Sequence, residues 1–394
     1  MLVIKSLFVD KFKAFNKVEI NFNANLSVIV GENGTGKTTI LETIFNMLSG
    51  NKEYFKLDEE FTYATLQFDT DAEHYSLIYK KEDDIKIILN DKNVLKEEIQ
   101  NRFKVIYLPS ESTFKDKKVE GVKLLEDEGK NIILDSETMS NRLKQFLLNQ
   151  FFKDLNDMQK GLQEEAIRIE KFKKLYDEFF IDKEFVEIND DIFEPIFKDK
   201  KTGKLLKVNE LSAGEKQIFF RGGSLLENIE NDTIVLIDEP EISLHPEWQQ
   251  RILEFYKNIN PNNQYIFSTH SPHIVSCCKR EELIVLHKEN DGKIIVNKNT
   301  ENPYALPTDL LLLSIFNLNT IRNQKVEKII NRYKELSSRE KLLNEEELKE
   351  LKQTKKQMEE ETNPKDIEIK YLDKEPDTTE LEKILEELGG SIDA

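Results

Sequence analysis

The chain has 394 residues, of which 38% are apolar and 34% are charged, and its formal net charge is −18. This length allows roughly two to three domains with a sizeable core, and the large charged share indicates long solvated helices around that core. The acidic balance argues against a wholly basic nucleic-acid binder, although a local basic groove is compatible with it.

The sequence predicts a cytoplasmic protein. No apolar run is long enough to span a bilayer, so no membrane partner is expected. The first nine residues alternate like a strand and do not have the pattern of a signal peptide. The two cysteines, Cys277 and Cys278, are adjacent, which excludes a disulfide framework and favours a reducing compartment.

The chain begins with three predicted strands, at residues 2–9, 18–22 and 26–30. The third strand runs into a glycine-rich turn, and a helix that Gly50 ends follows this turn. The helix has one apolar stripe, formed by Ile40, Leu41, Ile44, Phe45 and Leu48.

The glycine-rich turn, residues 31–38, matches the pattern G-x-x-x-x-G-K-T in full. Glycines let backbone N–H groups curl around phosphates, and the following helix points its positive end at them. We expect Lys37 to neutralise β- and γ-phosphate oxygens and the Thr38 hydroxyl to hold Mg²⁺. The predicted ATP-binding residues of this loop are Gly31, Glu32, Asn33, Gly34, Thr35, Gly36, Lys37, Thr38 and Thr39.

Residues 61–90 predict an antiparallel meander, with β-rich runs at 62–68, 75–80 and 85–89. A further strand at 105–108 stops at Pro109. Residues 139–203 then predict a helical insert, because apolar residues recur at spacings of three and four. This stripe is compatible with a lobe packed on its own domain and with an arm for self-association or partner docking. Its residues are Met139, Leu143, Leu147, Phe151, Leu155, Met158, Leu162, Ile169, Phe172, Tyr176 and Phe179.

The chain returns to an α/β pattern at residue 204, and a buried strand at 234–237 ends in two carboxylates. At that position Asp238 is expected to share the Mg²⁺ shell with Thr38. Glu239 is expected to be the general base that activates a water in line with the γ-phosphate, a role typically worth about 10²–10⁴ in rate. The strand at 265–267 leads to His270, which can donate to the γ-phosphate. The predicted catalytic residues are therefore Glu239, His270 and Lys37.

Residues 211–217 resemble the signature motif of ABC-type ATPases, and residues 243–246 resemble the D-loop of that family. Ser212 and the Gly214 amide lie at the start of a helix, where an anion can bind. In the family this site binds the γ-phosphate held by another protomer. The resemblance therefore implies a homodimer or higher homo-oligomer with ATP between the heads. It assigns the second half of the ATP site to Ser212, Ala213, Gly214 and Glu215.

Further residues resemble the SMC/RecF-like and overcoming-lysogenisation-defect (OLD) ATPases more than transporter subunits. Ala213 stands where transporters usually carry a second glycine, and Glu215-Lys216 follows the pattern of the first group. Residues 12–15, 238–246 and 268–272 match that group as well. The resemblance covers about residues 1–300 and implies an ATP hydrolase that uses Mg²⁺.

The resemblance implies an α/β fold, with a P-loop ABC-type ATPase head that combines a mixed sheet, an antiparallel β subdomain and a helical insert. The expected divisions are 1–138 for the first part of the head, 139–203 for the insert, 204–300 for the second part and 301–394 for a helical acidic region. The residue that senses Mg²⁺ in the family's Q-loop is left open between Gln67 and residues 110–112.

Residues 301–394 predict charged helices, including a last helix with a capping box at Thr379 and Glu382. Many OLD proteins carry a C-terminal Toprim nuclease, and the clustered acids of such a nuclease are not expected here. The segment resembles the tail of ATPases in anti-phage systems of the Septu and PARIS types, which are paired with an effector nuclease. The resemblance implies that a separate effector docks on this region.

Three functions follow from these observations. The leading one is an ATP-hydrolysing switch that self-associates head to head and controls an effector in anti-phage defence. A RecF/SMC-like DNA-repair ATPase is the alternative, and it would bind DNA directly in a salt-sensitive manner. A transporter subunit is disfavoured by Ala213 and by the long interval between the phosphate loop and the signature.

Overall fold

The computed structural model describes residues 2–362 except 71–72, 83, 101, 112, 115–128, 190, 192, 290, 298–301, 305, 319, 321 and 340–341. The chain divides into two compact units, Met1–Phe316 and Asn317–Ala394. The helix predicted at Thr379 lies outside the described residues.

The strands of the first unit form three sheets. In chain order, the strands that the structure describes are β1 (Val3–Asp10), β2 (Val18–Asn21), β3 (Leu26–Gly31), β4 (Tyr63–Asp69), β5 (His74–Lys81), β6 (Ile85–Leu89), β7 (Lys92–Asn93), β8 (Lys104–Leu108), β9 (Asn131–Ile133), β10 (Lys183–Asn189), β11 (Glu194–Asp199), β12 (Leu205–Lys207), β13 (Thr233–Asp238), β14 (Gln264–Thr269), β15 (Leu283–Lys288) and β16 (Ile294–Asn297).

The helices belong to both units. The α-helices within the described part of the chain are α1 (Lys37–Leu48), α2 (Glu53–Lys56), α3 (Lys96–Gln100), α4 (Ser136–Gln159), α5 (Ile167–Phe179), α6 (Ala213–Gln217), α7 (Gly223–Asn228), α8 (Pro246–Gln249), α9 (Ile252–Ile259), α10 (Pro272–Val275), α11 (Thr308–Ser314), α12 (Gln324–Ser337) and α13 (Glu345–Glu361). A π-helical turn, Ile218–Gly222, joins α6 to α7.

The central sheet has seven strands in the order β16-β15-β3-β14-β13-β8-β9. All neighbouring pairs in it are parallel except β15 and β16. Every residue of β3, β13 and β14 is buried, as expected for parallel strands that are covered on both faces. Because side chains of a strand alternate between faces, Val235 and Ile237 join one core while Ile234 and Leu236 join the other.

The second sheet is antiparallel, in the order β2-β1-β4-β5-β6-β7, and it contains the predicted meander. Buried and less buried residues alternate along β4 and β5, which is typical of a sheet with one covered face. That face packs with α1 in a shared apolar core. The Tyr79 hydroxyl donates to the Met47 carbonyl oxygen at 2.8 Å and ties β5 to the end of α1.

The predicted amphipathic stripe forms two helices, α4 and α5, but the prediction of a wholly helical insert is incomplete. Strands β10, β11 and β12 form a third, antiparallel sheet that begins within residues 139–203. The strands are short and rich in charged residues, so their alternation is weak in the sequence. Apolar side chains from both helices and this sheet, such as Phe172, Phe185 and Phe197, pack in the same core as the central sheet. The insert is thus a lobe packed on the head.

The second unit contains α12 and α13, which pack through a small apolar core. This core includes Ile330, Tyr333 and Leu336 of α12 and Leu351 and Met358 of α13. Arg332 donates to both carboxylate oxygens of Glu350, at 2.8 and 2.9 Å. No helix in the described part of the chain combines the length and the apolar character that crossing a membrane requires.

Candidate nucleotide site

The candidate site lies where parallel strands of the central sheet end. β14 is paired with β3 on one side and with β13 on the other, and β13 is paired with β8. Carboxyl ends of parallel strands meet at one edge of a sheet, so the residues after these strands come together there. This edge carries the phosphate loop, Asp238-Glu239 and His270.

The phosphate loop has the backbone that its glycines allow. Gly34 and Gly36 have φ values of 79° and 85°, in the left-handed region that disfavours other residues. At Gly36 a Cβ would overlap the ring of Phe15, so glycine also permits close packing here. The Thr35 hydroxyl donates to the Glu32 carbonyl oxygen at 2.9 Å and closes the loop.

Lys37 is the first residue of α1, and its side chain is buried in the loop. Its ammonium donates to the carbonyl oxygens of Gly31 and Glu32, at 2.9 and 3.1 Å. Burial lowers the pKa of Lys37 to about 8, and the nearby carboxylates of Glu239 and Asp238 oppose this shift. The ammonium is therefore a cation that an anionic phosphate would stabilise further.

Thr38 and Asp238 form the candidate Mg²⁺ position. The Thr38 hydroxyl donates to Asp238 Oδ2 at 2.8 Å. The Ser268 hydroxyl donates to the other oxygen, Oδ1, and so fixes the carboxylate from the neighbouring strand. Burial raises the pKa of Asp238, although these two hydrogen bonds oppose the shift.

Glu239 follows Asp238 and has a left-handed backbone, with a φ of 43°. Such a conformation is strained for a non-glycine residue and is common at functional sites. The Ser110 hydroxyl donates to Glu239 Oε2 at 2.9 Å, and His270 Nε2 lies 3.6 Å from Oε1. The carboxylate is about one-third exposed, so a water molecule has access to it.

Glu241 holds the loop that carries His270. Its Oε1 accepts hydrogen bonds from the Thr269 hydroxyl at 2.7 Å and from the His270 N–H at 2.6 Å. Burial raises the pKa of Glu241, whereas burial and the charge of Lys37 lower the pKa of His270. A lowered pKa keeps the imidazole neutral at pH 7, so one of its ring nitrogens carries a proton and the other can accept one.

The signature segment has a rigid helix start. Ser212 caps α6 by accepting from the Glu215 N–H, and the Glu215 carboxylate accepts from the Ser212 N–H at 2.7 Å. Lys183 lies 2.5 Å from the Glu215 carboxylate and anchors this capping box. At Gly214 a Cβ would overlap the Ser243 carbonyl oxygen, so the signature packs directly on the D-loop segment. Ser212 and Ala213 are exposed.

The predicted site residues thus fall into two groups. The structure brings Lys37, Thr38, Asp238, Glu239 and His270 together at one sheet edge. Residues 212–215 lie in the separate signature segment. In the described part of the chain, no hydrogen bond or ion pair joins Ser212 or Glu215 to the phosphate loop.

The sequence left the Q-loop residue open, and the structure separates the alternatives. Gln67 lies on β4 of the antiparallel sheet, where its Oε1 accepts from the Ser6 hydroxyl at 3.3 Å. Ser110 lies at the site and contacts Glu239, while Ser112 is outside the described residues. Ser268 and Glu241 are site residues to which sequence reasoning gave no role, and Ser110 was considered only within the open alternative of residues 110–112. Each of these residues lies at or just after the end of a predicted parallel strand, β8, β13 or β14, and this position could have indicated them.

The residues fit ATP with a divalent cation. Glu32, Asn33 and Gly34 are exposed, and no atom lies within 4 Å of where a Cβ of Gly34 would be. Hydroxyl and carboxylate oxygens, as in Thr38 and Asp238, are ligands that Mg²⁺ prefers. The described residues contain no group of three or more His, Cys, Asp and Glu that could hold a metal. Phosphate and water oxygens would have to complete the shell.

Most of the chain is similar in sequence to known proteins. The family "AAA domain, putative AbiEii toxin, Type IV TA system" matches residues 49–276. "Septu protein PtuA" of Bacillus thuringiensis is 31% identical over 328 residues, which are 76% of this chain and 79% of that protein. A second "Septu protein PtuA", from Bacillus mycoides strain KBAB4, is 25% identical and is aligned over 79% of this chain but only 44% of its own length. The "Retron Vc95 probable ATPase" of Vibrio cholerae serotype O1 biovar El Tor is 28% identical over 35% of this chain and 29% of that protein.

Solved structures with a similar fold include heads of SMC proteins. The SMC head domain from Thermotoga maritima matches with a TM-score of 0.50 and 17% identity, over 76% of this chain and all of that chain. An SMC head bound to the C-terminal winged-helix domain of ScpA matches with a TM-score of 0.50 and 16% identity, over 75% and 97%. These matches confirm the predicted fold class, an α/β ATPase head with a helical region after it.

Proposed function

This chain belongs to the family of the Septu PtuA proteins; on that premise we propose that it binds and hydrolyses ATP with Mg²⁺ to switch a defence effector. One observation supports the chemistry above the others. A cation, a hydroxyl–carboxylate pair and a second carboxylate lie together at the edge of one parallel sheet. This is what phosphoryl transfer to water requires.

The proposed roles follow from the contacts. Backbone N–H groups of the loop and the start of α1 would hold the phosphates, and the Lys37 ammonium would exchange its carbonyl partners for phosphate oxygens. Thr38 and Asp238 would hold Mg²⁺. Bound there, the ion would neutralise negative charge on the phosphate oxygens.

Glu239 is the proposed general base. Its Oε1 is free to accept a proton from a water molecule, because Ser110 donates to the other oxygen, Oε2. His270, kept neutral by its lowered pKa, would donate a hydrogen bond to the γ-phosphate from the adjacent strand end. Its backbone is fixed by Glu241, so the imidazole starts from a defined position.

The second half of the site is proposed to come from another copy of the chain. Ser212 and Ala213 are exposed at a helix start, where N–H groups and the helix dipole favour an anion. ATP between two heads would then join the two chains, and its cleavage would release them.

The biological role is proposed from the relatives and from the second unit. A partner effector, proposed to be a nuclease, would bind the described helices of residues 317–362 and act when the heads engage ATP. The test is co-purification with the product of the neighbouring gene, with and without ATP, followed by a nucleic-acid cleavage assay. Cleavage by the effector alone at the full rate would contradict control by this chain.

The proposed hydrolysis is tested with Glu239→Gln, which keeps the size of the side chain and removes the base. We expect kcat to fall about 10²–10⁴-fold while ATP still binds. Glu247→Gln, on the exposed start of α8, is a control for the loss of one acidic charge. Hydrolysis by Glu239→Gln at the wild-type rate would remove Glu239 from the chemistry, and a wild-type protein without hydrolysis would reject the proposal.

A further inference from the structure

Arg221 is a buried cation that the proposed chemistry does not use. It has the largest side chain among the described residues that are fully buried. Its guanidinium donates to three backbone carbonyl oxygens, those of Pro109 at 3.0 Å, Leu108 at 3.4 Å and Asp238 at 3.0 Å. No ion pair of Arg221 is found in the described part of the chain.

These carbonyl groups belong to the ends of two neighbouring strands, β8 and β13. In their parallel register Leu108 is opposite Ile237, so the next residues continue side by side into the site. Ser110 extends from one strand end and Glu239 from the other, and their side chains are joined by the 2.9 Å hydrogen bond. One guanidinium therefore fixes both chain segments that carry this pair.

A buried arginine without an ion pair is unusual at a position that serves packing alone. A charge that leaves water loses its solvation free energy, and three backbone carbonyl groups with the nearby charge of Asp238 offset this loss less well than a direct ion pair does. An apolar side chain of the same volume would fill the space without that cost. The planar guanidinium adds N–H donors in a fixed geometry, and these set the distances between the three carbonyl oxygens.

Arg221 also connects the site to the signature segment. It lies in the π-helical turn between α6 and α7, on the helical run that Ser212 begins. The Tyr176 hydroxyl of α5 donates to the Phe219 carbonyl oxygen in this turn at 2.9 Å. At Gly222 a Cβ would overlap the ring of Phe255, and at Gly223 it would overlap the Tyr176 hydroxyl. The run is thus packed tightly against the insert and α9.

We propose that Arg221 is a positioning residue that holds the Ser110–Glu239 pair in register with the signature helix. A shift of Ser212 on engaging a phosphate would move the helical run, and Arg221 would transmit that movement to the two strand ends. The base would then be aligned only when the signature is engaged. This inference rests on the proposed ATP hydrolysis.

The experiment compares steady-state hydrolysis by the full chain and by Arg221→Met, Arg221→Lys, Ser110→Ala and the double variant Arg221→Met/Ser110→Ala. We expect kcat of Arg221→Met to fall about 30-fold with KM for ATP within about threefold, and Arg221→Lys to be intermediate. The double variant should be within about twofold of Arg221→Met, because both changes act through Glu239.

The matched control is Lys144→Met, which removes another buried cation, bonded to Glu194 at 3.0 and 2.9 Å in the insert. Its kcat should stay within about twofold of wild type. A wild-type kcat in Arg221→Met would overturn this inference and leave the proposed function standing. So would a double variant whose loss in kcat is the product of the two single losses. If Arg221→Met does not fold, a wild-type kcat in Arg221→Lys would overturn it. A wild-type protein that does not hydrolyse ATP would overturn both this inference and the proposed function.

Discussion

The phosphate-loop half and the signature half of the candidate site are built in different ways. In the first, polar groups bond to one another within the chain, as Thr38 does to Asp238 and Ser110 does to Glu239. In the second, Ser212 is exposed, and the described hydrogen bond of its hydroxyl is with the N–H of Glu215 in its own capping box.

The two halves are also held rigid by different contacts. Parallel strands bring the first set of residues together, so one chain is enough to assemble it. The signature half is held by contacts on its buried side. These are the ion pair of Lys183 with Glu215 and the close packing of Gly214 on Ser243. It presents its helix start outward, and we propose that a second copy supplies the phosphate that it binds.

A change in the outward half should nearly abolish hydrolysis. Ser212→Arg places a bulky cation at the helix start, so we expect hydrolysis to fall by more than about 100-fold while ATP binding to the single chain is kept. Hydrolysis and nucleotide binding are measured on the same protein. Asn344→Arg is the matched control, because Asn344 forms the same kind of capping box with Glu347 on α13. Equal loss of hydrolysis in both variants would contradict this assignment.

A smaller effect is expected from pH in the phosphate-loop half. The pKa of Lys37 is lowered to about 8, and a bound triphosphate would raise it, so ATP binds the protonated form more tightly. Affinity should therefore fall as pH rises above about 8, by up to about tenfold per pH unit, with uptake of up to about one proton. Calorimetry in buffers of different ionisation enthalpy measures both quantities. Lys37→Arg should lose this pH dependence of ATP affinity. If the dependence persists in that variant, a group other than Lys37 causes it.

Sequence reasoning predicted those site residues that lie together in one short motif. The phosphate loop and the pair Asp238-Glu239 each place their residues within one short motif between a strand and a helix. Arg221 could not be found in this way, and Ser110 was reached only as part of the open alternative 110–112. Their roles depend on the register of β8 with β13 and on the packing of one helix. Strands β10–β12 were missed for a related reason, since tertiary packing of Phe185 and Phe197 compensates for their charged sequences.

The smallest effect concerns stability. Glu241→Ala leaves two donors, the Thr269 hydroxyl and the His270 N–H, without their acceptor, at a cost of about 2–4 kcal/mol in the free energy of unfolding. Glu241→Gln keeps a carbonyl oxygen there and should cost less than about 1 kcal/mol. Urea unfolding at pH 7 measures both, and equal losses in the two variants would show that these hydrogen bonds contribute little.

The raised pKa of Glu241 also determines the direction in which stability changes with pH. Because the folded-state pKa of Glu241 is raised above 4.5, its contribution to stability is fully present below pH 4.5 and declines as pH rises through the folded-state pKa. Glu241→Gln lacks a titrating group, so its stability relative to wild type should increase between pH 4.5 and 7. A decrease over that range would contradict the raised pKa.

Mixing two inactive variants shows whether the nucleotide site is shared between two copies of the chain. Lys37→Ala loses the phosphate loop and Ser212→Arg loses the signature, so each is expected to be inactive alone. If the site is shared between two copies, a mixed dimer contains one intact site, and an equimolar mixture should recover roughly a quarter of wild-type hydrolysis. A mixture as inactive as its separate components, when both are folded and able to associate, would show that the two halves do not act across two chains.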